Sequence, residues 1–343
     1  MLFRPRNTRV LNLALQGGGA HGAFTWGVLD GLLEDGRLEF EGISGTSAGA
    51  MNAAVLAHGL LDGGRKGGRD RAREALARFW SAVAASTPFD FGLANGDNGE
   101  LSPGIRLMMS WARHFSPQEL NPFDVNPLRD IVVREIDFER LRAKSPLKLF
   151  VAATHANTGR LRLFTTSELS ADAVLASACL PAMHHAIEID GEPYWDGGYS
   201  ANPAVFPLFY DCRADDILLV LLSPLLHGET PRSADAIRDR TLDLSFNATF
   251  LREMRMYAHA REFAGRTMWP LGRLERRLQR ANFHLIQADE LMSQLPTETR
   301  LATSLPFLEM LRDQGREHVR TWLKANRRNV GRSSSVDIAD LFY

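Results

Sequence analysis

A serine between two glycines is the first residue of this sequence that could do covalent chemistry. Gly45, Ser47 and Gly49 form the pattern Gly-x-Ser-x-Gly between a predicted strand and an alanine-rich predicted helix. In a nucleophile elbow the serine sits on a sharp, strained turn, and the glycines remove Cβ atoms that would collide with the strand or helix. The following helix favours negative charge at its N-terminus. Ser47 is therefore a candidate nucleophile, although a plain turn with Ser47 as helix cap fits the same residues.

An aspartate beside two glycines is the candidate base. Asp196 precedes Gly197 and Gly198 in the stretch YWDGGYSANP and directly follows a predicted strand. A carboxylate can take the proton of a hydroxyl group that lies within hydrogen-bond reach. The two glycines would allow its backbone to approach another loop closely. Taken alone, the stretch fits better a turn in which Asp196 bonds its own backbone.

The stretch LQGGGAHGAF, residues 15–24, has two possible functions. Gly17, Gly19 and Gly22 match the dinucleotide fingerprint Gly-x-Gly-x-x-Gly, and Glu39 or Glu41 could bind a ribose. The same backbone N–H groups could instead stabilise the oxyanion of a transition state. The second hypothesis is favoured because the next strand runs directly into the Ser47 motif. A nucleotide-binding enzyme would also have no use for the Asp196 turn.

Histidines offer weaker alternatives. A Ser-His-Asp triad would take its base from the later part of the chain, where no local pattern marks any of the four histidines. These are His227, His259, His284 and His318. The pair His184 and His185 lacks the cysteines or carboxylates that would complete a zinc site, so no metal is predicted.

The elements that must position these residues alternate between strands and helices. A strand, a glycine-rich turn and a helix occur twice within residues 10–60, which predicts an α/β fold with functional loops at strand ends. Further strand signals follow, with a hairpin turn at Asp190-Gly191. They cover residues 147–153, 160–165, 186–195 and 216–222.

The expected domain organisation is a catalytic α/β domain over residues 1–230 and a mostly helical extension over residues 231–343 packed on it. Residues 60–74, rich in Gly, Arg and Asp, are expected to be a mobile surface connection. Residues 86–127 combine five prolines with several aromatic residues, and they are expected to form either a lid or an excursion packed over the core.

Composition restricts the partners and the compartment. The formal net charge of −1 argues against a nucleic-acid partner, although residues 232–332 carry 19 Lys/Arg against 12 Asp/Glu. No apolar run approaches the roughly 18 residues of a spanning helix. Two cysteines in 343 residues do not suggest a disulfide framework. A cytoplasmic protein is expected, with any membrane contact peripheral and made through the basic helices of the extension.

Taken together and in this order, GGGAHG, GTSAG and WDGG resemble the patatin-like phospholipase family. The resemblance covers about residues 10–225 and includes ASACLPAMHHAIEIDGEPYWDGGYSANP. The helical extension resembles bacterial members. One departure is His21, since many members carry Arg or Lys there, and it puts in doubt a preference for strongly anionic head groups.

The resemblance implies a three-layer α/β/α fold with a central, mostly parallel sheet and a C-terminal helical extension. It implies a Ser–Asp dyad in which Ser47 is the nucleophile and Asp196 the base, supported by Gly45, Gly49, Gly197 and Gly198. An oxyanion hole would be lined by Gly17, Gly18, Gly19 and Gly22, with Gly18 and Gly19 as the preferred donors. Neither a metal nor a cofactor is needed.

The implied substrate is an acyl ester of a phospholipid or lysophospholipid. An intracellular polyester or an acyl thioester would use the same dyad. A catalytically silent member of the fold remains an alternative from another class, as does the dinucleotide-binding oxidoreductase. The sequence does not indicate an oligomeric state.

Overall fold

The computed structural model describes residues 9–86, 115–266 and 272–343, and their strands form one sheet of eight. The sheet order is β5-β6-β3-β2-β1-β7-β8, and β4 also pairs with β3. The strands are β1 (Arg9–Leu15), β2 (Leu38–Thr46), β3 (Lys148–His155), β4 (Leu161–Thr165), β5 (Ile187–Ile189), β6 (Glu192–Asp196), β7 (Asp216–Val220) and β8 (Asn282–Ile286).

Five neighbouring strands of this sheet, from β3 to β8, run parallel, whereas β4, β5 and β6 are antiparallel to their partners. All of β7 is buried, as expected for a parallel strand covered on both faces. The carboxyl ends of parallel strands meet at one edge of a sheet. The loops after β1 and β2, which contain the glycine loop and Ser47, therefore lie next to each other.

Helices cover both faces of the sheet. They are α1 (Gly22–Asp35), α2 (Ala48–Ala85), α3 (Pro117–Leu120), α4 (Pro127–Glu135), α5 (Phe138–Lys144), α6 (Ala171–Ser177), α7 (Phe206–Asp211), α8 (Ala234–Gly265), α9 (Arg273–Arg280), α10 (Asp289–Gln294), α11 (Leu305–Asn326) and α12 (Ile338–Phe342). Leu218 and Val220 of β7 pack in a core with α1, α2 and α11, whereas Ile217 and Leu219 pack with α7, α8 and α12. Because side chains alternate along a strand, these two cores lie on opposite faces. The expected three-layer fold is confirmed.

The segment 60–74, expected as a mobile connection, is helical on both sides of a break at Gly64 (φ 59°, ψ −153°). The two halves of α2 fold back on each other as a helical hairpin. A Cβ atom at Gly59 would lie 2.4 Å from the Cα of Ala72, and one at Gly63 would lie 2.7 Å from the Cα of Gly68. The glycines that suggested a loose loop instead allow two helices to approach closely. Most of the expected lid, residues 86–127, lies outside the described residues.

The C-terminal region contributes to the sheet as well as covering it. β8 pairs in parallel with β7 over five residue pairs, so this part of the chain is not helical throughout. In addition to α8–α12, it contains a 3₁₀ helix, Thr297–Leu301, which packs against another short 3₁₀ helix, Gly19–His21, in the glycine loop. Within the described ranges, no helix combines the length and apolarity needed to cross a bilayer.

Candidate active site

The register of three strands places Ser47 beside Asp196. β3 pairs with β2 up to Thr46 opposite Ala152, and it pairs with β6 from Asp196 opposite Ala153. β4 occupies the other edge of β3, so β2 and β6 share one edge. β2 is parallel and β6 antiparallel to β3. The two strands therefore end head-on, and Ser47 follows β2 where Asp196 ends β6.

Ser47 has a backbone conformation that L-residues rarely adopt, with φ 53° and ψ −123°. The glycines around it are sterically required. A Cβ atom at Gly45 would lie 2.6 Å from backbone atoms of Gly49, and one at Gly49 would lie 2.2 Å from the carbonyl oxygen of Leu15. The N–H of Ser47 donates to Oγ of Ser177 at 2.9 Å, and its side chain makes no capping hydrogen bond to α2. The hydroxyl is left to face Asp196.

Asp196 is buried in a site that favours its neutral form. The Oδ1 atom of Asp196 accepts the N–H of Gly198 at 2.7 Å, and the Ser47 hydroxyl lies close enough to lower the pKa of the carboxyl group. Desolvation by burial raises the pKa of Asp196 to about 7, while the Gly198 N–H and the Ser47 hydroxyl oppose the rise. The hydrogen bond from Gly198 also agrees with the alternative interpretation of this stretch, a turn in which Asp196 bonds its own backbone. One carboxyl group thus both caps the 3₁₀ helix Gly197–Tyr199 and contacts a hydroxyl.

The two glycines after Asp196 are needed for close packing. A Cβ atom at Gly197 would lie 2.2 Å from the carbonyl oxygen of Ala152 in β3. One at Gly198 would lie 2.3 Å from the ring of Phe246 in α8, which also packs on Tyr199. The C-terminal region therefore supports the turn that holds the carboxyl group.

The four candidate amides of the glycine loop differ in their partners. The N–H of Gly17 donates to Oδ1 of Asn202 at 2.7 Å, and the N–H of Gly22 bonds to carbonyls of the preceding 3₁₀ turn. The N–H groups of Gly18 and Gly19 have no acceptor within the part of the chain that the structure describes. A Cβ atom at Gly17 would lie 2.8 Å from that of Ser47, so the loop passes directly over the serine.

Three buried amide side chains hold this loop, and none of them was predicted from the sequence. Oε1 of Gln16 accepts the N–H groups of Leu222 and Ser223, at 2.6 and 2.9 Å. Its Nε2 donates to Oδ1 of Asn247 on α8 at 2.8 Å, and Asn202 bonds Gly17 as above. Gln16 and Asn202 adjoin recognised motifs, which is the only sequence signal for them. Asn247 lies in a long helix where nothing distinguishes it.

His21 is a buried, neutral residue that ties the glycine loop to the C-terminal region. Its Nε2 lies 2.7 Å from Oγ1 of Thr299, whose hydroxyl donates to the carbonyl of Pro296 at 2.6 Å. Thr299 must then accept, so Nε2 of His21 carries the proton. Burial, together with the positive charge of Arg300, lowers the pKa of His21 to about 3. The carbonyl of Arg300 also packs 2.3 Å from where a Cβ of Gly19 would be.

A guanidinium lies near the loop despite the histidine at position 21, and an ion pair balances its charge. Arg300 contributes this guanidinium from the C-terminal region, where it pairs with Asp243 of α8 at 2.7 Å.

None of the contacts that the structure gives for the remaining candidate histidines involves Ser47. His284 bonds Asp216 and Ser335, at 3.0 Å each, in the core. His259 stacks on Tyr343, and His318 packs against Phe24. His227 lines a cavity beside His21. His185 approaches Asp124 at 4.0 Å. These contacts give none of them the place of a triad base.

Comparison with known proteins adds a family match. A family model described as patatin-like phospholipase matches residues 13–209, more than half of the chain. No curated protein sequence matches.

Two solved structures align at low similarity. VipD from Legionella pneumophila is 17% identical with a TM-score of 0.35, and the alignment covers 92% of this chain and 67% of that one. The heterodimeric ExoU–SpcU complex of the Pseudomonas aeruginosa type III secretion system is 18% identical with a TM-score of 0.33. That alignment covers 93% of this chain and 53% of the other, so this chain spans about half of its length.

Proposed function

Since the chain belongs to the patatin-like phospholipase family, we propose that it is a serine hydrolase of lipid carboxylic esters. Ser47 is the nucleophile in this proposal, Asp196 is the general base, and the N–H groups of Gly18 and Gly19 form the oxyanion hole. The substrate is the acyl ester of a phospholipid or lysophospholipid, which makes the enzyme a phospholipase A or lysophospholipase.

The observation that carries the proposal is the head-on meeting of β2 and β6 along one edge of β3. It brings a hydroxyl in a strained turn against a buried carboxyl group, beneath a loop with two amides that have no acceptor among the described residues. A nucleophile, a base and oxyanion donors are the parts that acyl transfer requires.

In the first half of the reaction, Asp196 accepts the hydroxyl proton as Oγ of Ser47 attacks the ester carbonyl carbon. The carbonyl oxygen becomes an oxyanion, which Gly18 and Gly19 stabilise. Loss of one such donor costs about 3 kcal/mol of barrier in comparable enzymes. The carbon–oxygen bond to the alcohol then breaks, the proton on Asp196 passes to the leaving oxygen, and Ser47 holds the acyl group.

In the second half, water attacks the acyl-enzyme. Asp196 takes a proton from the water, the second oxyanion occupies the same loop, and collapse releases the fatty acid. The proton returns from Asp196 to Oγ of Ser47. One carboxyl group thus serves both halves, as base and then as acid.

A patch of exposed apolar side chains near the site fits a lipid surface, and we propose that it makes transient peripheral contact with membranes. Phe123 is 88% exposed, Val125 63% and Met183 42%. Asp124 lies 4.0 Å from His185, which places the first two beside the segment after Cys179. The carbonyl of Cys179 accepts the N–H of Asp196, so the patch adjoins the candidate base.

The test of the proposed function compares wild type with Ser47→Ala on a mixed lipid extract, with products identified by mass spectrometry. We expect free fatty acid and a deacylated lipid from wild type, and a loss of about a thousandfold or more in the variant. A fluorophosphonate probe should label wild type but not Ser47→Ala. Ser167→Ala, which changes an exposed serine, should behave as wild type.

Hydrolysis by Ser47→Ala at the wild-type rate would overturn the dyad. The product class also decides the substrate, because a polyester or an acyl thioester gives a hydroxy acid or a free thiol instead of a deacylated lipid. A folded wild type that neither turns over nor is labelled would instead indicate a silent member of the family.

A further inference from the structure

Arginine side chains converge on a cavity of about 620 Å³ at the opposite end of the sheet from the glycine loop. Gly36 and Leu38 complete its lining, and no acidic residue belongs to it. We call this cavity the arginine pocket. Its arginines are Arg9, Arg37, Arg327, Arg328 and Arg332.

Most of the positive charge in the arginine pocket is not neutralised by the protein. Arg37 forms an ion pair with Asp35, and the charge of Arg327 also lowers the pKa of Asp35. Arg9 donates a hydrogen bond to the carbonyl of Arg327. The side chains of Arg328 and Arg332 make no hydrogen bond or ion pair with any residue that the structure describes.

Like charges around one cavity repel, so bringing these groups together costs the folded chain free energy unless an anion joins them. Guanidinium groups bind phosphate oxygens in pairs of parallel hydrogen bonds, which makes phosphate the anion they suit best. The volume exceeds what one phosphate fills and lies in the range of small-molecule sites. From these observations we propose that the arginine pocket binds a soluble anion that carries two or more phosphate groups.

A lipid head group offers the same chemistry, but the position of the pocket favours a soluble ligand. Arg9 begins β1, and the glycine loop follows the seventh residue of that strand. At about 3.3 Å per residue, the two sites are separated by roughly 20 Å along the sheet. A bilayer that touched the arginine pocket would therefore lie at the end of the sheet opposite Ser47.

The test uses inorganic tripolyphosphate on the full chain, without divalent cations and at constant ionic strength. Isothermal titration should show saturable binding, and the midpoint of thermal unfolding should rise with tripolyphosphate well beyond the rise with sulfate. Arg328→Gln/Arg332→Gln should bind at least about tenfold more weakly, because two charge-assisted contacts are lost. The matched control is Arg273→Gln/Arg276→Gln on α9, which removes the same charge and should bind as wild type.

The unliganded Arg328→Gln/Arg332→Gln variant should unfold at the same temperature as wild type or above it, because repulsion is relieved. If it misfolds, Arg332→Gln alone provides the comparison. Equal affinity in the pocket variant and wild type would overturn the proposal, and so would an effect of tripolyphosphate no larger than that of sulfate. Phosphoinositide vesicles form a separate arm. Arginine-dependent sedimentation with them, without tripolyphosphate binding, would assign the pocket to a head group instead.

Discussion

At the scale of single residues, the unusual property of Asp196 is its combination of burial and proximity to a hydroxyl. Only its ionised form can take a proton from Ser47. Because burial raises its pKa to about 7, the proposed base is largely protonated in mildly acidic solution.

We therefore predict that kcat/KM rises with pH through about 7 and levels off above it. The free enzyme must lose one proton from Asp196 to be active. A plot of log kcat/KM against pH should therefore have a slope of about one on its acidic side. Esterase assays between pH 5 and 9 measure this directly. A profile that is flat down to pH 5 would contradict Asp196 as the base.

The same pKa predicts a stability effect. The folded pKa lies above the ordinary value of 3.8, so the neutral carboxyl stabilises the fold fully below about pH 4, and this stability is lost as pH rises through about 7. Asp196→Asn keeps the shape without the charge. Relative to wild type it should gain on the order of 4 kcal/mol in unfolding free energy between pH 4 and pH 8. Urea denaturation at both pH values measures this gain.

At the scale of elements, the 3₁₀ helix Thr297–Leu301 positions the glycine loop from outside the family-matched region. The buried Thr299 accepts a hydrogen bond from His21, and the carbonyl of Arg300 packs on Gly19. An oxyanion hole works only when its donors are fixed before the charge develops. Thr299 and His21 are thus positioning residues in the proposed mechanism.

We predict that Thr299→Val lowers kcat about tenfold or more with a smaller change in KM. The substitution keeps the volume but leaves the Nε2–H of His21 without an acceptor, at a cost of about 1–3 kcal/mol. Thr299→Ser restores the acceptor and should recover most of kcat. Steady-state kinetics and near-ultraviolet circular dichroism separate a positioning effect from unfolding. A folded Thr299→Val with wild-type kcat would refute this role.

The sequence predicted the elements that carry its own periodicity and motifs. The strands around the glycine loop, Ser47 and Asp196 are confirmed, as is the hairpin whose turn residues Asp190 and Gly191 both have positive φ. The segment around Gly64 was predicted as a mobile connection and is a helical hairpin. Glycine occurs both in loose loops and at close contacts between helices, so the sequence does not distinguish the two. Thr299 and Asn247 could not be found, because their roles depend on which residues distant in sequence pack against them. β8 lies in a region that was predicted to be mostly helical. Its residues form a strand because they pair with β7, and the sequence does not show that pairing.

At the scale of the whole molecule, the exposed apolar patch lies near Asp196 and the arginine pocket lies at the far end of β1. We predict that Phe123→Ser/Val125→Ser weakens binding to neutral phosphatidylcholine vesicles severalfold, because less apolar area enters the lipid. Hydrolysis of a short soluble ester should not change. Vesicle sedimentation and a soluble-ester assay give the two values. Val133→Ser, an exposed change on α4, is the control, and unchanged sedimentation of the double variant would remove the patch from the proposal.

The site also draws support from residues that are far apart in the sequence. Gln16 bonds Asn247, Gly198 packs on Phe246, and β8 completes the sheet beside β7. We predict that a chain ending at residue 230 lacks cooperative thermal unfolding and has no esterase activity, since it would expose the core beneath α8 and α11. Calorimetry of the shortened chain tests this, and the chain that ends at residue 343 is measured as the control. A cooperative, active fragment would show that the catalytic domain is self-sufficient.

The shared edge of β3 has a consequence for protein engineering. Thr46, the residue before Ser47, and Asp196 lie across from Ala152 and Ala153, which are neighbours in β3, so the distance between the two side chains depends on the hydrogen-bond register of three strands. Adding one residue to β6 would turn the carboxyl to the opposite face of the sheet. A designer who transplants this site must therefore carry three strands with their lengths intact. Substituting a serine and an aspartate into another sheet would not reproduce it.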